Sequence, residues 1–195
     1  MNIFFLSWNP RICARLYCDQ HVVKIVLEIV QMLYTAHWIL SEEGWNDNAP
    51  LTKSGIKGYK KAHPNHPMTM WVRSSRNNYI WASELAMELI IEHNRRFGGC
   101  HSCAPHALWL NDRIPTVFQN ERNPKSVYTV NGHPERLTPI PLCMPNEYHD
   151  INSPINSYHS YYKGAKLEFA RWKQNAIASK MILMNDKIPL KFIGT

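Results

Sequence analysis

Long uninterrupted apolar runs are missing from this chain. No stretch approaches the roughly 18–20 consecutive apolar residues of a bilayer span, so no membrane span and no membrane partner are expected. The opening MNIFFLSW lacks a basic start and a small-residue cleavage site, so it does not read as a secretory signal. Disulfide-scaffold spacing is missing too. The five cysteines are an odd number without regular pattern, which points to a reducing, cytoplasmic compartment. There is no internal repeat, no low-complexity run and no shift of composition that marks a second domain. Acidic residues are few, 15 against 22 Lys and Arg, for a net charge of +7 with the histidines neutral.

What is present fits one domain. With 195 residues and 45% apolar content the chain can bury a substantial core. Seven Trp, nine Tyr and six Phe accompany the positive charge. That combination suits nucleic acid, where cations meet phosphates and rings stack on bases.

The fold class follows from local patterning: mainly α, a single compact helical domain of 1–195 with two long helices, shorter helices and extended loops. An N-terminal arm over 1–8 precedes Asn9-Pro10, a capping residue followed by proline at the first helical position. The first helix is expected from Pro10 to about Leu40, with a break near Cys18-Asp19. Residues 45–70 read as loop, because Gly55, Gly58, Pro64 and Pro67 interrupt any helix. Ser74 or Ser75 caps a second long helix that ends at Phe97 before Gly98-Gly99. On it, Glu84, Glu88, Glu92 and Arg96 step by four and read as a solvated face. A short helix over Pro105–Asp112 and another from Ser153-Pro154 to about Lys173 complete the helices. The stretch 113–153, with six prolines, is irregular, and 175–195 forms a tail.

The middle of the first helix, DQHVVKIVLEIVQMLYT, is apolar on most of its circumference. Its polar exceptions, His21, Lys24, Glu28, Gln31 and Thr35, lie along one side at steps of three and four. Glu28 stands two turns after His21, about 10 Å along the axis, with Lys24 between them. A partly buried carboxylate beside a cation and an imidazole is a setting in which proton affinities are tuned. A salt-bridged Lys24–Glu28 pair on a solvated face is the plainer alternative. Further cationic and aromatic residues gather in GYKKAHPNHP, with Lys60, Lys61, Asn65 and His66, and at the start of the second long helix, with Arg73, Arg76 and Tyr79. Cys100 and Cys103 have the spacing of half a zinc site, but no matching second pair exists, and neither metal nor cofactor is expected.

The order of these features resembles the pyrimidine-dimer DNA glycosylases of the phage endonuclease V type. That family carries Asp-Gln-His on its first long helix, here Asp19-Gln20-His21, and its catalytic glutamate seven residues after the histidine, here Glu28. A histidine before the second long helix and a basic residue and glycine at its end match His66 and Arg95-Arg96-Phe97-Gly98. A tyrosine-rich basic segment near the C-terminus matches Tyr158 to Gly164. The family has arginines where this chain has Leu27 and Gln31, and it exposes its amine on a small first residue. Here Asn2 follows Met1, so Met1 is expected to stay.

The resemblance implies a DNA repair enzyme of a phage or virus that excises a base at the sugar C1′, with an AP-lyase step as companion. In such enzymes an N-terminal amine forms a Schiff base, a glutamate supports the sugar chemistry, and a base leaves the stack. The amine here would be that of Met1 or of Lys24, or water activated by Glu28 would replace it. His21 would position DNA or share protons. Arg11, Arg15, Gln20, Gln31, Lys60, Lys61, Asn65, His66, Arg73, Arg76 and Tyr79 would meet a DNA duplex carrying a damaged or modified pyrimidine, with His66 and Tyr79 at the cavity mouth. The rival expectations are a non-enzymatic nucleic-acid-binding protein, a base-modifying transferase acting on viral DNA, and a structural helical protein whose polar seam is a subunit contact.

Overall fold

The helix Asp19–Leu40 (α2) forms around the most apolar stretch of the chain, and the other elements assemble on it. A computed structural model describes residues 1–118, 128–129 and 136–173; the expected tail lies outside them. Helix α2 packs on Arg76–Phe97 (α4), Pro67–Val72 (α3) and Ala104–Asn111 (α5), and α4 also packs on Pro10–Leu16 (α1). Pro154–Ala165 (α6) closes the bundle, so the protein is mainly helical. The only ladder among the described residues pairs Tyr128–Thr129 with Arg136–Leu137, antiparallel. One apolar core runs from Ile3 to Ala170.

Capping explains most helix limits. The Asn9 side chain accepts from the Ile12 N–H at 3.1 Å and Pro10 opens α1. Ser75 accepts from the Asn78 N–H at 3.2 Å to start α4, and Gly98 ends it in the left-handed region with φ 71°. The break after Leu16 is real: Tyr17 and Cys18 are extended, and α2 begins at Asp19. Helix α3 falls where a loop was expected. At six residues it is too short to show a period, and its signal is the His66-Pro67 start. Helix α6 stops at Ala165, well before Lys173.

By length and composition α2 is apolar enough to cross a membrane. A count of uninterrupted apolar residues passes over it, because polar positions punctuate the helix. In this fold it is the central helix, with 61% of its most apolar window buried.

The elbow between α1 and α2 is held by an internal cation. Arg96 is 1% exposed. Its guanidinium donates to Glu92 Oε1 at 2.6 Å, to Asp19 Oδ1 at 2.9 Å, and to the carbonyls of Tyr17 and Arg15 at 2.8 and 3.0 Å. Glu92, at 3% exposed, is likewise interior. The expected solvated face therefore ends before them. Spacing by four describes a stripe, but α1 and the start of α2 cover its last turn.

The N-terminal arm is buried from Ile3 to Leu6, and the Leu6 N–H turns back to the Phe4 carbonyl at 3.0 Å. Phe5 stacks on Trp81 at 4.3 Å between ring centres, and Phe4 stacks on His21 at 4.4 Å. The Phe4 N–H donates to the Tyr17 hydroxyl at 2.8 Å. Threaded in this way, the arm delivers Met1 and Asn2 to the middle of α2.

Two buried histidines are expected to make the fold acid-sensitive. His21, whose Nδ1 bonds the Tyr162 hydroxyl, is pushed down to about 4 by burial, then by Lys166 and Lys24. His37 donates from Nε2 to the Arg113 carbonyl at 2.8 Å and is also pushed down to about 4, by burial. An unfolded histidine titrates near 6.5, so below that pH the unfolded chain takes up the protons first. Their contribution is complete above about pH 6.5 and is lost as pH falls toward 4, by about 3 kcal/mol per histidine at most. Urea unfolding at pH 7.5 and 4.5 is expected to show a marked fall in midpoint. An unchanged midpoint would show that neither histidine is buried neutral.

Candidate active site

Burial redraws the polar seam of α2. The open strip is Gln20, Val23, Lys24, Leu27, Glu28 and Gln31, with Glu28 and Gln31 half-buried. His21 and Thr35 fall on its buried flank. Residue chemistry alone misplaced the strip, because Val23 and Leu27 are exposed despite being apolar. They form one wall of a recess of about 590 Å³, completed by Lys24, Glu28, Lys53 and Tyr59. A second groove of about 360 Å³ shares Tyr59 with it and continues past Gln31 to Lys60 and Lys61.

Glu28 is where the arm and the recess meet. Its Oε2 accepts the Asn2 backbone N–H at 2.7 Å and lies 3.7 Å from the terminal amine of Met1. The carboxylate thus pairs with the α-amine rather than with Lys24. The Met1 side chain is 5% exposed and packs against the core, so the chain start is anchored.

His66 lies within electrostatic reach of both groups. Its proton affinity is lowered by burial, then by the terminal amine and His63, and is raised by Glu28. Its Nδ1 accepts from the Met68 N–H at 3.2 Å as the cap of α3, which leaves the neutral ring's proton on Nε2. One short helix start therefore fixes both the position and the tautomer of this imidazole.

The other expected site residues separate into groups. Gln20, Lys60, Lys61, Asn65 and Arg76 are exposed. Arg73 donates to the Pro64 carbonyl at 2.6 Å, so it braces the basic loop from behind. Arg11 lines a different groove, with Glu84 and Glu88. The Glu88 carboxyl is raised by burial and lowered by Arg11 and Arg15, which places both arginines by that carboxylate. His21 is sealed under Phe4 and Tyr162 and does not reach the recess. Tyr79 is not at a cavity mouth: it is fully buried, and its hydroxyl bonds His37 Nε2 at 2.9 Å. Both errors come from assigning a polar tip to solvent when a buried partner was available.

Sequence reasoning missed Asn2 and most of the outer wall of the recess, Thr52, Lys53, Ser54, His101, Ser102 and Cys103. Tyr59 reaches Cys103 Sγ with its hydroxyl at 3.6 Å, and burial pushes its phenol up to about 12. Of the Cys100–Cys103 motif, His101, Ser102 and the buried Cys103 line the recess, and the exposed Cys100 does not. Among the described residues no three His, Cys, Asp or Glu side chains converge as a metal site.

Comparison of the chain with protein-family models, with curated proteins and with solved structures finds no match. Functional inference therefore rests on the site itself.

Proposed function

We propose that this protein is a DNA base-processing enzyme, in the simplest form a DNA N-glycosylase acting on damaged or modified pyrimidines. The observation that carries this is the terminal amine held 3.7 Å from a half-buried carboxylate in the wall of a recess. Chain ends ordinarily fray. Here a buried aromatic arm keeps the end in place beside Glu28.

In the proposed reaction the Met1 amine attacks C1′ of the target nucleotide. A C–N bond forms, and the glycosidic electron pair leaves with the base, which takes a proton. Opening of the sugar ring gives an imine between Met1 and the sugar. Glu28 stabilises positive charge developing on the sugar and accepts the proton released from the attacking amine. Loss of a C2′ proton then expels the 3′ phosphate and cuts the strand, the lyase step. Lys24 stands on the same wall, but an α-amine is the weaker base of the two classes and so the readier nucleophile at neutral pH. Lys60, Lys61 and Arg76 are exposed cations available to phosphates, and the recess beside Glu28 is the space available to a base.

The test is a labelled duplex carrying one thymine dimer, incubated with and without borohydride, which reduces an imine to a stable amine. A covalent complex is expected, and extension of the N-terminus by two glycines is expected to abolish it. Abasic product without trapping would replace the amine by water at Glu28. Salt-sensitive binding to duplexes with damaged or modified bases, with no product from any, would leave a nucleic-acid-binding protein instead.

A further inference from the structure

Residue 2 is tied down on two sides. Its backbone N–H donates to Glu28 Oε2 at 2.7 Å, the oxygen that the terminal amine also approaches. Its side-chain Nδ2 donates to the Cys143 carbonyl at 3.0 Å, and its Oδ1 accepts from the Ile3 N–H at 2.9 Å. The anchor at Cys143 is itself held: the Tyr158 hydroxyl, on a fully buried ring, donates to the Pro141 carbonyl at 2.8 Å. The Cys143 N–H in turn donates to that hydroxyl at 3.4 Å.

The geometry of the peptide unit makes this tie consequential. The bond between Met1 and Asn2 is planar, so fixing the Asn2 N–H, through its bond to Glu28, together with the Asn2 Cα fixes that plane. One backbone rotation, about the Cα–C bond of Met1, then remains to place the amine. The packed Met1 side chain restricts that rotation as well.

We propose that Asn2 is a positioning residue, whose clamp between Glu28 and the Cys143 carbonyl holds the Met1 amine at the carboxylate. This rests on the amine being the nucleophile. Asn2 touches neither the sugar nor the base in this scheme and acts through Met1.

Asn2→Leu and Asn2→Asp test it, since neither side chain can donate to the Cys143 carbonyl when the aspartate is ionised. Intact mass must first show that Met1 is present in wild type and variants. A mature protein lacking Met1 would overturn the proposal, because the Asn2 nitrogen would then be the amine itself. The first readout is independent of DNA. Acetylation of the N-terminal peptide by a succinimidyl ester is followed by mass spectrometry, with lysine peptides as internal reference. The variants are expected to label several-fold faster at the N-terminus, with lysine rates and melting temperature unchanged. The second readout is borohydride trapping under single-turnover conditions, expected to fall about 10²-fold with duplex affinity retained, the scale of a misplaced reacting group. Wild-type labelling rates in both variants would overturn the clamp. Faster labelling with wild-type trapping would overturn its role in positioning. If the wild type traps nothing on any duplex, the nucleophile assignment fails, and labelling still decides whether Asn2 holds the amine.

Discussion

Glu28→Gln is expected to leave the fold and duplex binding intact and to slow borohydride trapping by about 10²–10⁴-fold. The glutamine keeps an oxygen that can accept the Asn2 N–H, so the arm should stay seated. What disappears is the charge. The amine loses the carboxylate 3.7 Å away, and no fixed anion then faces the positive charge that develops on the sugar. Glu28 is half-buried at the recess and is not among the core residues, so stability should change little. Affinity for duplex should hold or rise, because a negative charge among the cations proposed to meet phosphates opposes binding. The measurement is the single-turnover trapping rate beside a salt-titrated binding curve. A variant that traps at the wild-type rate would remove Glu28 from the chemistry. Equal loss of binding and trapping would mean that the carboxylate only keeps the arm in place.

Much of the scaffold was legible because its signals are local. Asn9-Pro10, Ser75, Gly98 and Ser153-Pro154 each satisfy or release backbone groups within a few residues, so their effect can be read along the chain. Glu28 and Lys24 were legible as polar interruptions in an apolar helix. His66 was legible as one residue of a basic loop, but not as the cap of α3. The arm was not. Nothing near Met1 or Asn2 in sequence says that Phe4 will stack on His21, or that the side chain of Asn2 will find a carbonyl 141 residues away. His21 and Tyr79 misled for the same reason. Their partners, Tyr162 and His37, lie 141 and 42 residues off, and only the packed bundle brings them together. The site is therefore half local, a carboxylate on a helix, and half a product of tertiary packing, an amine carried to it.

Arg96→Met is expected to lower stability by about 3–5 kcal/mol, the scale for breaking a buried ion pair from one side. The loss exceeds that of an exposed pair because the partners stay behind. Among the described residues, Asp19 then keeps only its side-chain bonds from the Lys173 N–H, at 3.0 Å to each carboxylate oxygen. The carbonyls of Tyr17 and Arg15 lose the donors that Arg96 gives them. Glu92 retains Arg95, through bonds of 2.5 and 2.8 Å, which holds the effect toward the lower end. At about 2–4 °C per kcal/mol for a chain of this size, the melting temperature should fall by roughly 6–20 °C. The double variant Glu92→Leu/Arg96→Met also removes the interior carboxylate and should recover part of the loss, since apolar replacement of a buried pair is often neutral, while Asp19 and the two carbonyls still lack their donor. The two variants separate stability from chemistry. Arg96 fixes the elbow at which α1 turns into α2, and α2 carries Glu28 two and a half turns further on. If the rest of the bundle holds that helix in place, the double variant should trap at the wild-type rate per folded molecule. A large drop in its trapping rate at full folding would mean instead that the elbow sets the angle at which Glu28 meets the amine.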